Sequence, residues 1–508
     1  MDRHSRPACR TDCLSPVAAD RAMDRQNRRA PSMNDCCATN DKSKKGYDVA
    51  VIGAGSAGFS AAITAAEQGA NVALIGHGMI GGTCVNVGCV PSKTMIRAAE
   101  ALHGARVAGR FPGLEGEANV VDWGRLIGAK DDLVGTLRQK KYIDLLPEYN
   151  GVAYVEGAAR LNGQGVVVNG AAFSADKIIV ATGASPGLPD IPGITDVPYL
   201  TSTTALELTD QPASLMVLGG GYIGCELAQM FARAGTKVTL ATRSRLLPEA
   251  EPEISEALTR YLMDDGISVL TGLSYRAIKA NENGIELTIE RDGRPELLKA
   301  QHVLVATGRR PNSAGIGLEE AGVRLSANGG IVVDDRMRTS KPGVYAAGDV
   351  TGRDQFVYMA AYGAKLAALN ALNGDSLAYD HSAMPWVVFT DPQVAGVGLS
   401  DAAAKAAGFE TKTSVVPLDQ VPRALAARDT RGLIKLVADA ETDRLLGAQI
   451  LAPEGADSIQ TAVLAIKHGM TVKVLGETIF PYLTTVEGLK LAAQGFGKDV
   501  AKLSCCAG

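Results

Sequence analysis

The chain has 508 residues, 46 % of them hydrophobic, and its 51 basic and 55 acidic side chains leave a net charge of −4. This length suggests about three domains rather than one core, and the near balance of charge gives no electrostatic case for nucleic-acid binding. Nine cysteines show no extracellular disulfide framework and no run of about 18 apolar residues occurs, so we expect a cytoplasmic protein without a membrane span.

The first 45 residues are polar and aperiodic, and they predict a disordered leader. The leader has no apolar h-region and contains acidic residues, which argues against a targeting peptide. It carries Cys9, Cys13, Cys36 and Cys37. For the adjacent pair in "DCCATN", a weak metal-binding role and an inert segment both remain open.

The first glycine motif begins at residue 47, where the apolar strand "YDVAVI" runs into "GAGSAG" and then into the helical pattern "FSAAITAAEQG". Gly53, Gly55 and Gly58 form a G-x-G-x-x-G turn between strand and helix. Bare backbone can approach a pyrophosphate there, and the helix N-terminus can receive its charge. The sequence therefore predicts a dinucleotide site.

Two cysteines follow in "GGTCVNVGCVPSK". Cys84 and Cys89 are separated by four residues, a spacing that can close across about one helical turn. Two thiols beside a two-electron carrier make a redox relay.

A second glycine turn follows the strand "SLMVL": Gly219, Gly221 and Gly224 in "GGGYIG" precede the helix "CELAQMFARAG". Two dinucleotide sites in one chain allow a hydride to pass from a nicotinamide to a flavin. After the next strand, "KVTLAT", the segment "RSR" stands where an NAD site places an acid. Arg243 and Arg245 suit a 2′-phosphate, which favours NADPH; two solvated surface arginines are the alternative.

The C-terminal part of the chain holds further signals. Two hydrophobic strands run into glycine turns at "VLVATGRRPN" and "GVYAAGDV", and Asp349 stands where a strand end presents a carboxylate to a sugar-like chain. From about residue 384, helices and strands alternate without a glycine motif, which predicts a dimerisation domain. The chain ends in "AKLSCCAG", where Cys505 and Cys506 are either exposed functional thiols or an incidental tail.

The cysteine run, both glycine turns, and the A-T-G and A-G-D segments stand in one order across residues 46 to 500, and together they resemble the pyridine-nucleotide disulfide oxidoreductases. The resemblance implies an α/β homodimer with two doubly wound, Rossmann-like dinucleotide-binding domains and an α+β dimerisation domain. The expected divisions are a leader (1–45), an FAD-binding domain in two segments (46–195 and 313–383), an NADPH-binding domain (196–312), an interface domain (384–498) and a mobile Cys-Cys tail (499–508).

The resemblance also implies residue roles. Cys89 lies against the flavin as a charge-transfer thiolate, Cys84 faces the substrate, and Tyr222 covers the nicotinamide pocket. Lys93 pairs with Glu226 near the flavin; surface positions for these two residues and a core position for Tyr222 are the alternatives. The FAD in the first site is contacted by Gly82, Thr83, Lys93 and Asp349, the last on its ribityl chain.

Two departures from the family pattern stand out. The acid that usually meets the adenosine ribose is replaced by Gly76 and His77, which leaves that contact to backbone or water. Disulfide reductases of the family carry an H-P-T-x-x-E segment, but with Thr484 and Glu487 in register this chain has Tyr482 at the histidine position. A phenol with a reference pKa of about 10 does not shuttle protons readily at neutral pH, so a substrate that needs no protonation is implied.

A soft metal cation fits this requirement because it binds thiolates. Together with the terminal cysteines, these features resemble the branch of the family that reduces Hg(II) to elemental mercury. By this resemblance, Cys505 and Cys506 collect Hg(II) from small thiols and hand it across the dimer interface to the metal-binding pair Cys84 and Cys89.

By the same resemblance, Tyr142 and the partner subunit's Tyr482 line the inner site, with packing as the alternative for both. The G-M-T-C-x-x-C loop of an N-terminal capture domain is absent, so no such domain is predicted. Two other functions remain open: a disulfide reductase resembling dihydrolipoamide dehydrogenase, and a flavin-containing scavenger that binds Hg(II) without reducing it.

Overall fold

The computed structural model describes residues 46–163 and 165–502, so the predicted leader and the two terminal cysteines lie outside the described residues. The strands are β1 (Tyr47–Ile52), β2 (Val72–Gly76), β3 (Val152–Glu156), β4 (Ala159–Asn162), β5 (Gly165–Val168), β6 (Ala171–Phe173), β7 (Ala175–Val180), β8 (Ala184–Pro186), β9 (Tyr199–Leu200), β10 (Ser214–Leu218), β11 (Lys237–Ala241), β12 (Ser268–Leu270), β13 (Ser274–Asn281), β14 (Gly284–Arg291), β15 (Arg294–Ala300), β16 (His302–Val305), β17 (Arg309–Pro311), β18 (Val344–Ala346), β19 (Pro385–Val388), β20 (Gln393–Gly398), β21 (Thr411–Pro417), β22 (Leu433–Asp439) and β23 (Leu445–Ala452). The α-helices are α1 (Ser56–Glu67), α2 (Gly82–Val87), α3 (Cys89–Arg106), α4 (Trp123–Arg138), α5 (Ser202–Ala205), α6 (Tyr222–Ala234), α7 (Pro252–Asp264), α8 (Val357–Asn373), α9 (Asp401–Ala406), α10 (Pro422–Ala427), α11 (Gly455–Lys467), α12 (Val472–Glu477) and α13 (Glu487–Gln494).

The first sheet is parallel, in the order β18-β7-β1-β2-β3. Its central strands are apolar on both faces because both are covered. Alanine-rich helices α1 and α8 pack on one face, and the antiparallel sheet β4-β5-β6 covers the other. Since β18 comes from a distant part of the chain, two sequence segments build this sheet.

The second sheet is also parallel, in the order β12-β11-β10-β16-β9. Helix α6 packs on one face, where Phe231 is fully buried, and the antiparallel sheet β13-β14-β15 covers the other. The two-stranded ribbon of β8 and β17 lies in the connections between the first two sheets. The turns at the carboxyl ends of β1 and β10 therefore occupy equivalent positions in two similar units.

The third sheet is antiparallel, in the order β19-β20-β23-β22-β21, with α11 and α13 packed against it. Two parallel, helix-covered sheets and one mixed unit make the predicted fold class correct. Within residues 46–163 and 165–502, no helix is both long and apolar enough to cross a membrane.

Candidate active site

The first glycine turn joins β1 to α1 in a conformation that requires glycine. Gly53 has φ +118°, and a Cβ there would lie 2.2 Å from the Ala181 carbonyl oxygen. A Cβ at Gly58 would lie 1.7 Å from the Gly53 oxygen, whereas at Gly55 its nearest neighbour, at 3.5 Å, would be the Cα of Gly82. The outer glycines make the tight turn, and the middle one leaves backbone open toward a pyrophosphate at the helix N-terminus.

The second turn repeats this arrangement between β10 and α6. Gly219 has φ +110°, and a Cβ at Gly224 would lie 1.9 Å from its carbonyl oxygen. No heavy atom lies within 4 Å of the Cβ position at Gly221. The space at this middle glycine again fits the close approach of a dinucleotide phosphate.

The thiol pair lies where α2 ends and α3 begins. Gly88 breaks the helix with φ −125° and ψ −109°, so the thiols of Cys84 and Cys89 meet across a helix break rather than along the single helical turn that their spacing suggested. Both are free thiols in the structure and both are half-buried.

The two thiols differ in acidity. A hydrogen bond with the Cys84 thiol lowers the pKa of Cys89 to about 7, and the positive charge of Lys93 lowers it further, against the opposing effect of burial. The same bond raises the pKa of Cys84, and burial raises it further. Cys89 is therefore the thiol that ionises first, near pH 7, and Cys84 is the thiol that donates to it.

Lys93 and Glu226 form an ion pair that joins α3 to α6. Lys93 Nζ lies 2.7 Å from Glu226 Oε2 and 4.8 Å from the centre of the Phe389 ring. Glu226 is 5 % exposed, and its other oxygen accepts a hydrogen bond from the Phe389 backbone amide at 2.9 Å. The pair thus connects the two units that carry the glycine turns to the loop after β19. Neither residue is an isolated surface charge.

A cavity of about 790 Å³ brings most of the predicted residues together. It extends from the first glycine turn past Gly82 and Thr83 to the two cysteines and on to Tyr222. Its size and its mostly apolar wall suit a large flat cofactor with a few polar contacts. The predicted residues that line it are Gly53, Gly55, His77, Gly82, Thr83, Cys84, Cys89, Lys93, Tyr222, Glu226 and Asp349.

Asp349 meets a cation that the sequence analysis did not single out. Its carboxyl pKa is raised by burial, and Arg309 Nε lies 3.8 Å from its Oδ2. The Arg309 guanidinium also donates to the Ala184 carbonyl oxygen and lines the cavity. The motif "GRRPN" was read only as a strand and turn, so its first arginine is a functional candidate that sequence reasoning missed.

The structure shows what stands beside Gly76, where the usual acid is missing. A Cβ at Gly76 would lie 2.6 Å from the Tyr154 hydroxyl and 2.8 Å from the Ala54 methyl group. The Tyr154 ring, on the neighbouring strand β3, therefore fills the space that the first side-chain atoms of an acidic residue at position 76 would occupy. His77 is exposed and lines the cavity.

The two arginines of the second unit differ in their contacts. Arg243 is exposed, whereas Arg245 Nη2 donates to the carbonyl oxygens of Pro248 and Ala250, both at 2.7 Å. Arg245 thus fastens its own loop, and Arg243 is the one open to a 2′-phosphate.

The two tyrosines lie in different places. Tyr142 is on a π-helical turn after α4, packs edge-on against Phe59 with ring centres 4.8 Å apart, and has a pKa raised by burial and also by the charges of Cys84 and Cys89. Tyr482 is 51 % exposed, next to exposed Ile479 and Leu483. Tyr482 is not among the described residues that line the cavity. Next to it, the Glu487 carboxylate accepts a hydrogen bond from the Leu483 backbone amide at 3.2 Å.

The remaining cysteines divide into two groups. Cys225 is fully buried, and burial raises its pKa, in agreement with a small core residue. Cys505 and Cys506, like the four cysteines of the leader, lie outside the described residues. In the part of the chain that the structure describes, no group of three or more His, Cys, Asp or Glu side chains is arranged to hold a metal ion.

Comparisons with known proteins agree with this architecture. The sequence matches the pyridine nucleotide-disulphide oxidoreductase family over residues 47–367 and that family's dimerisation domain over residues 384–493. It is 48 % identical over 471 residues to a mercuric reductase of Bacillus cereus, covering 92 % of this chain and 74 % of that protein. To a mercuric reductase of Streptomyces lividans it is 48 % identical over 473 residues, covering 91 % and 99 %.

Solved structures give the same result. A Cu(II) complex of the HOCl-induced flavoprotein disulfide reductase RclA from Escherichia coli superposes with a TM-score of 0.78 at 30 % identity, over 90 % of this chain and 100 % of that one. The order of the glycine turns and the thiol pair along the chain, the three sheets and these matches agree with one another. The chain therefore belongs to the pyridine nucleotide-disulphide oxidoreductase family and is an oxidoreductase.

Proposed function

We propose that the chain reduces Hg(II) to volatile Hg(0) with electrons from NADPH, in line with its similarity to the mercuric reductases of Bacillus cereus and Streptomyces lividans. The observation that carries the proposal is the thiol pair, in which Cys89 has a pKa lowered to about 7 and a second thiol is in hydrogen-bond contact. Two converging sulfur atoms are the ligands that a soft cation prefers.

The overall reaction balances without a further reactant. Hg(II) held by two thiolates, NADPH and one proton give Hg(0), NADP⁺ and two thiols. FAD, when bound in the cavity, supplies two-electron transfer between the nicotinamide and the sulfur side. The residues that would hold FAD are the first glycine turn, Gly82, Thr83, Lys93 and Asp349, most of which line the cavity.

The chain's own residues supply the thiolate ligands and hold them beside a positive charge. Cys89 offers a thiolate at neutral pH, and Cys84 becomes the second ligand by giving up its proton as the metal binds. The Lys93–Glu226 pair holds α3 against α6 and places a positive charge near the Cys89 sulfur. Uncharged Hg(0) holds thiolate weakly and leaves.

We infer that the working unit is a homodimer with shared active sites. The dimerisation domain and the exposed side chains of Ile479, Tyr482 and Leu483 support this. In the dimer, Tyr482 of the partner subunit would line the inner site opposite Tyr142. Cys505 and Cys506 of the partner subunit would deliver Hg(II) taken from small thiols to Cys84 and Cys89.

We also propose that the chain divides at the predicted boundaries. The two-segment FAD-binding domain is supported by β18, which joins a sheet otherwise built from the first segment. The NADPH-binding domain contains the second parallel sheet, and exposed Arg243 supports the preference for NADPH.

A substrate panel tests the proposed activity against the disulfide-reductase alternative. The purified holoenzyme should oxidise NADPH when Hg(II) is added and should not turn over lipoamide or oxidised glutathione, because Tyr482 supplies no neutral-pH acid for a leaving thiolate. Cys84→Ala should lose the Hg(II)-dependent reaction. Turnover of either disulfide at a rate comparable to Hg(II) would contradict the proposal.

A further inference from the structure

Four aromatic rings from three parts of the fold pack in a row, and three of them, Tyr222, Phe356 and Tyr358, line the cavity. The Trp386 and Tyr222 rings are stacked with centres 5.8 Å apart and planes 24° apart. Tyr222 also contacts Phe356 at 5.8 Å, and Phe356 stacks on Tyr358 at 5.4 Å. The row therefore joins the start of α6, the start of α8 and strand β19.

The position of Trp386 is fixed by its surroundings. Gly396 is its partner in the β19–β20 ladder, and a Cβ at Gly396 would lie 2.3 Å from the indole Cζ2. The indole thus lies flat across a position that has no side chain. Tyr358 is the ring at the opposite end of the row from Trp386. Its hydroxyl donates a hydrogen bond to the carbonyl oxygen of Pro385, the residue before Trp386.

Tyr222 stands between the second nucleotide turn and the cysteines. It directly follows Gly221 and lines the cavity together with Glu226 and Cys89. A nicotinamide ring carried by a nucleotide on that turn has to reach the flavin side of the cavity to transfer a hydride. Tyr222 lines the wall of this cavity next to the second turn, and by the family resemblance its ring covers the nicotinamide pocket, so an entering nicotinamide would displace the ring.

We propose that Trp386 is a positioning residue: its stack on Tyr222 holds that ring over the nicotinamide pocket, and nucleotide binding breaks the stack. The proposal rests on the proposed NADPH site at the second turn. Trp386 is not among the described residues that line the cavity, so it acts on the bound nucleotide through Tyr222. Apparent affinity equals intrinsic affinity multiplied by the open fraction, and Trp386 therefore lowers nucleotide affinity.

The test is the affinity of the holoenzyme for NADP⁺, the non-reducing nucleotide, measured by calorimetry. Aromatic pairs of this kind shift equilibria by about 2- to 10-fold, so Trp386→Leu should bind NADP⁺ about 2- to 10-fold more tightly than the parent. Trp386→Phe, which keeps a ring, should show a smaller gain. A residue that merely supports the fold would give unchanged or weaker binding in both variants, and that result would overturn the proposal.

Tryptophan fluorescence gives an independent readout because the chain has only two tryptophans. Trp123 is buried in the core against which Trp386 packs, stacked on Phe231, and is not among the residues that line the cavity, so Trp123→Phe is the matched control and leaves Trp386 as the only indole. NADP⁺ should change the emission of this control and leave that of Trp386→Phe unchanged. Should Trp386→Leu fail to fold, an emission of Trp123→Phe that does not respond to bound NADP⁺ overturns the proposal.

The two proposals fail in different ways. An absence of NADP⁺ binding by the parent protein would refute the nucleotide site itself, and with it the proposed function. Normal binding by the parent with unaltered affinity in both Trp386 variants would refute only the role of Trp386.

Discussion

At the scale of single residues, the chemistry depends on the unequal acidity of two neighbouring thiols. The hydrogen bond from Cys84 is the largest influence on the Cys89 thiolate, ahead of the charge of Lys93. A thiolate beside a flavin gives a long-wavelength absorption band in the two-electron-reduced enzyme. If Cys89 is the thiolate that lies against the flavin, as the family resemblance implies, this band reports its protonation state.

Cys89→Ala should abolish the band, whereas Cys84→Ala should keep it at high pH and still lose Hg(II) reduction. In the parent the band should be present above about pH 7 and fade below it, because the lowered pKa of about 7 marks where Cys89 takes up its proton. Removing the Cys84 donor should move this midpoint upward, toward the ordinary thiol pKa of about 8.5. A pH titration by absorbance of the reduced parent, Cys89→Ala and Cys84→Ala holoenzymes measures the band in all three proteins. A band that survives in Cys89→Ala and vanishes in Cys84→Ala would mean that the two roles are exchanged.

At the level of elements, the strand–turn–helix unit appears twice. Its outer glycines are needed for the tight turn, and its middle glycine leaves space for a phosphate. Gly224→Ala forces a Cβ to within 1.9 Å of the Gly219 carbonyl oxygen, whereas Gly221→Ala meets no heavy atom within 4 Å. Gly224→Ala should therefore lower the free energy of unfolding by about 1–3 kcal/mol. Gly221→Ala should change it by less than about 0.5 kcal/mol but weaken NADP⁺ binding. Denaturant titration and calorimetry separate the two effects, and equal losses of stability in both variants would contradict this assignment.

The loop after β11 separates its two arginines by the same reasoning. Arg243→Ala should raise the KM for NADPH far more than that for NADH, since a charged contact to a 2′-phosphate contributes about 1.5–3 kcal/mol. Arg245→Ala removes two hydrogen bonds to backbone carbonyls and should lower stability, with a smaller effect on the choice of nucleotide. Steady-state kinetics with both nucleotides measures this. Equal affinity of the parent for NADPH and NADH would refute the predicted cofactor preference.

How far the sequence predicts these elements depends on how local the signal is. The glycine turns and the cysteine run are written in consecutive residues, so the fold and the location of the thiols could be predicted. Arg309, Tyr154 and Trp386 act on residues far away in the chain, and only the packing of strands from different segments shows their contacts. The pKa of Cys89 depends on its hydrogen bond with Cys84, and the helix break at Gly88 between the two thiols is not indicated by their spacing.

At the level of the whole molecule, the proposed function requires two subunits and the transfer of Hg(II) from the terminal cysteines of one subunit to Cys84 and Cys89 of the other. If Cys505 and Cys506 only relay Hg(II), replacing both with Ala should leave the reduction of flavin by NADPH at its normal rate. The variant should lose most turnover with glutathione-bound Hg(II), because two bulky thiols cannot enter a narrow inner site, and should keep much of it with HgBr₂. Rapid-mixing absorbance and steady-state assays with both mercury sources measure these rates. Equal activity of the variant and the parent on glutathione-bound Hg(II) would show that the terminal cysteines are incidental.

In the proposed reaction electrons from NADPH end on mercury, and the ratio of Hg(0) released to NADPH consumed measures this. The holoenzyme is mixed with NADPH and thiol-bound Hg(II) under nitrogen, NADPH loss is followed at about 340 nm, and mercury vapour in the gas stream is collected. Because both the oxidation of NADPH and the reduction of Hg(II) transfer two electrons, one Hg(0) should be released for each NADPH consumed. Tight binding of Hg(II) without NADPH loss would identify a scavenger, and NADPH loss without mercury vapour would show that the electrons go elsewhere; either result would contradict the proposed reaction.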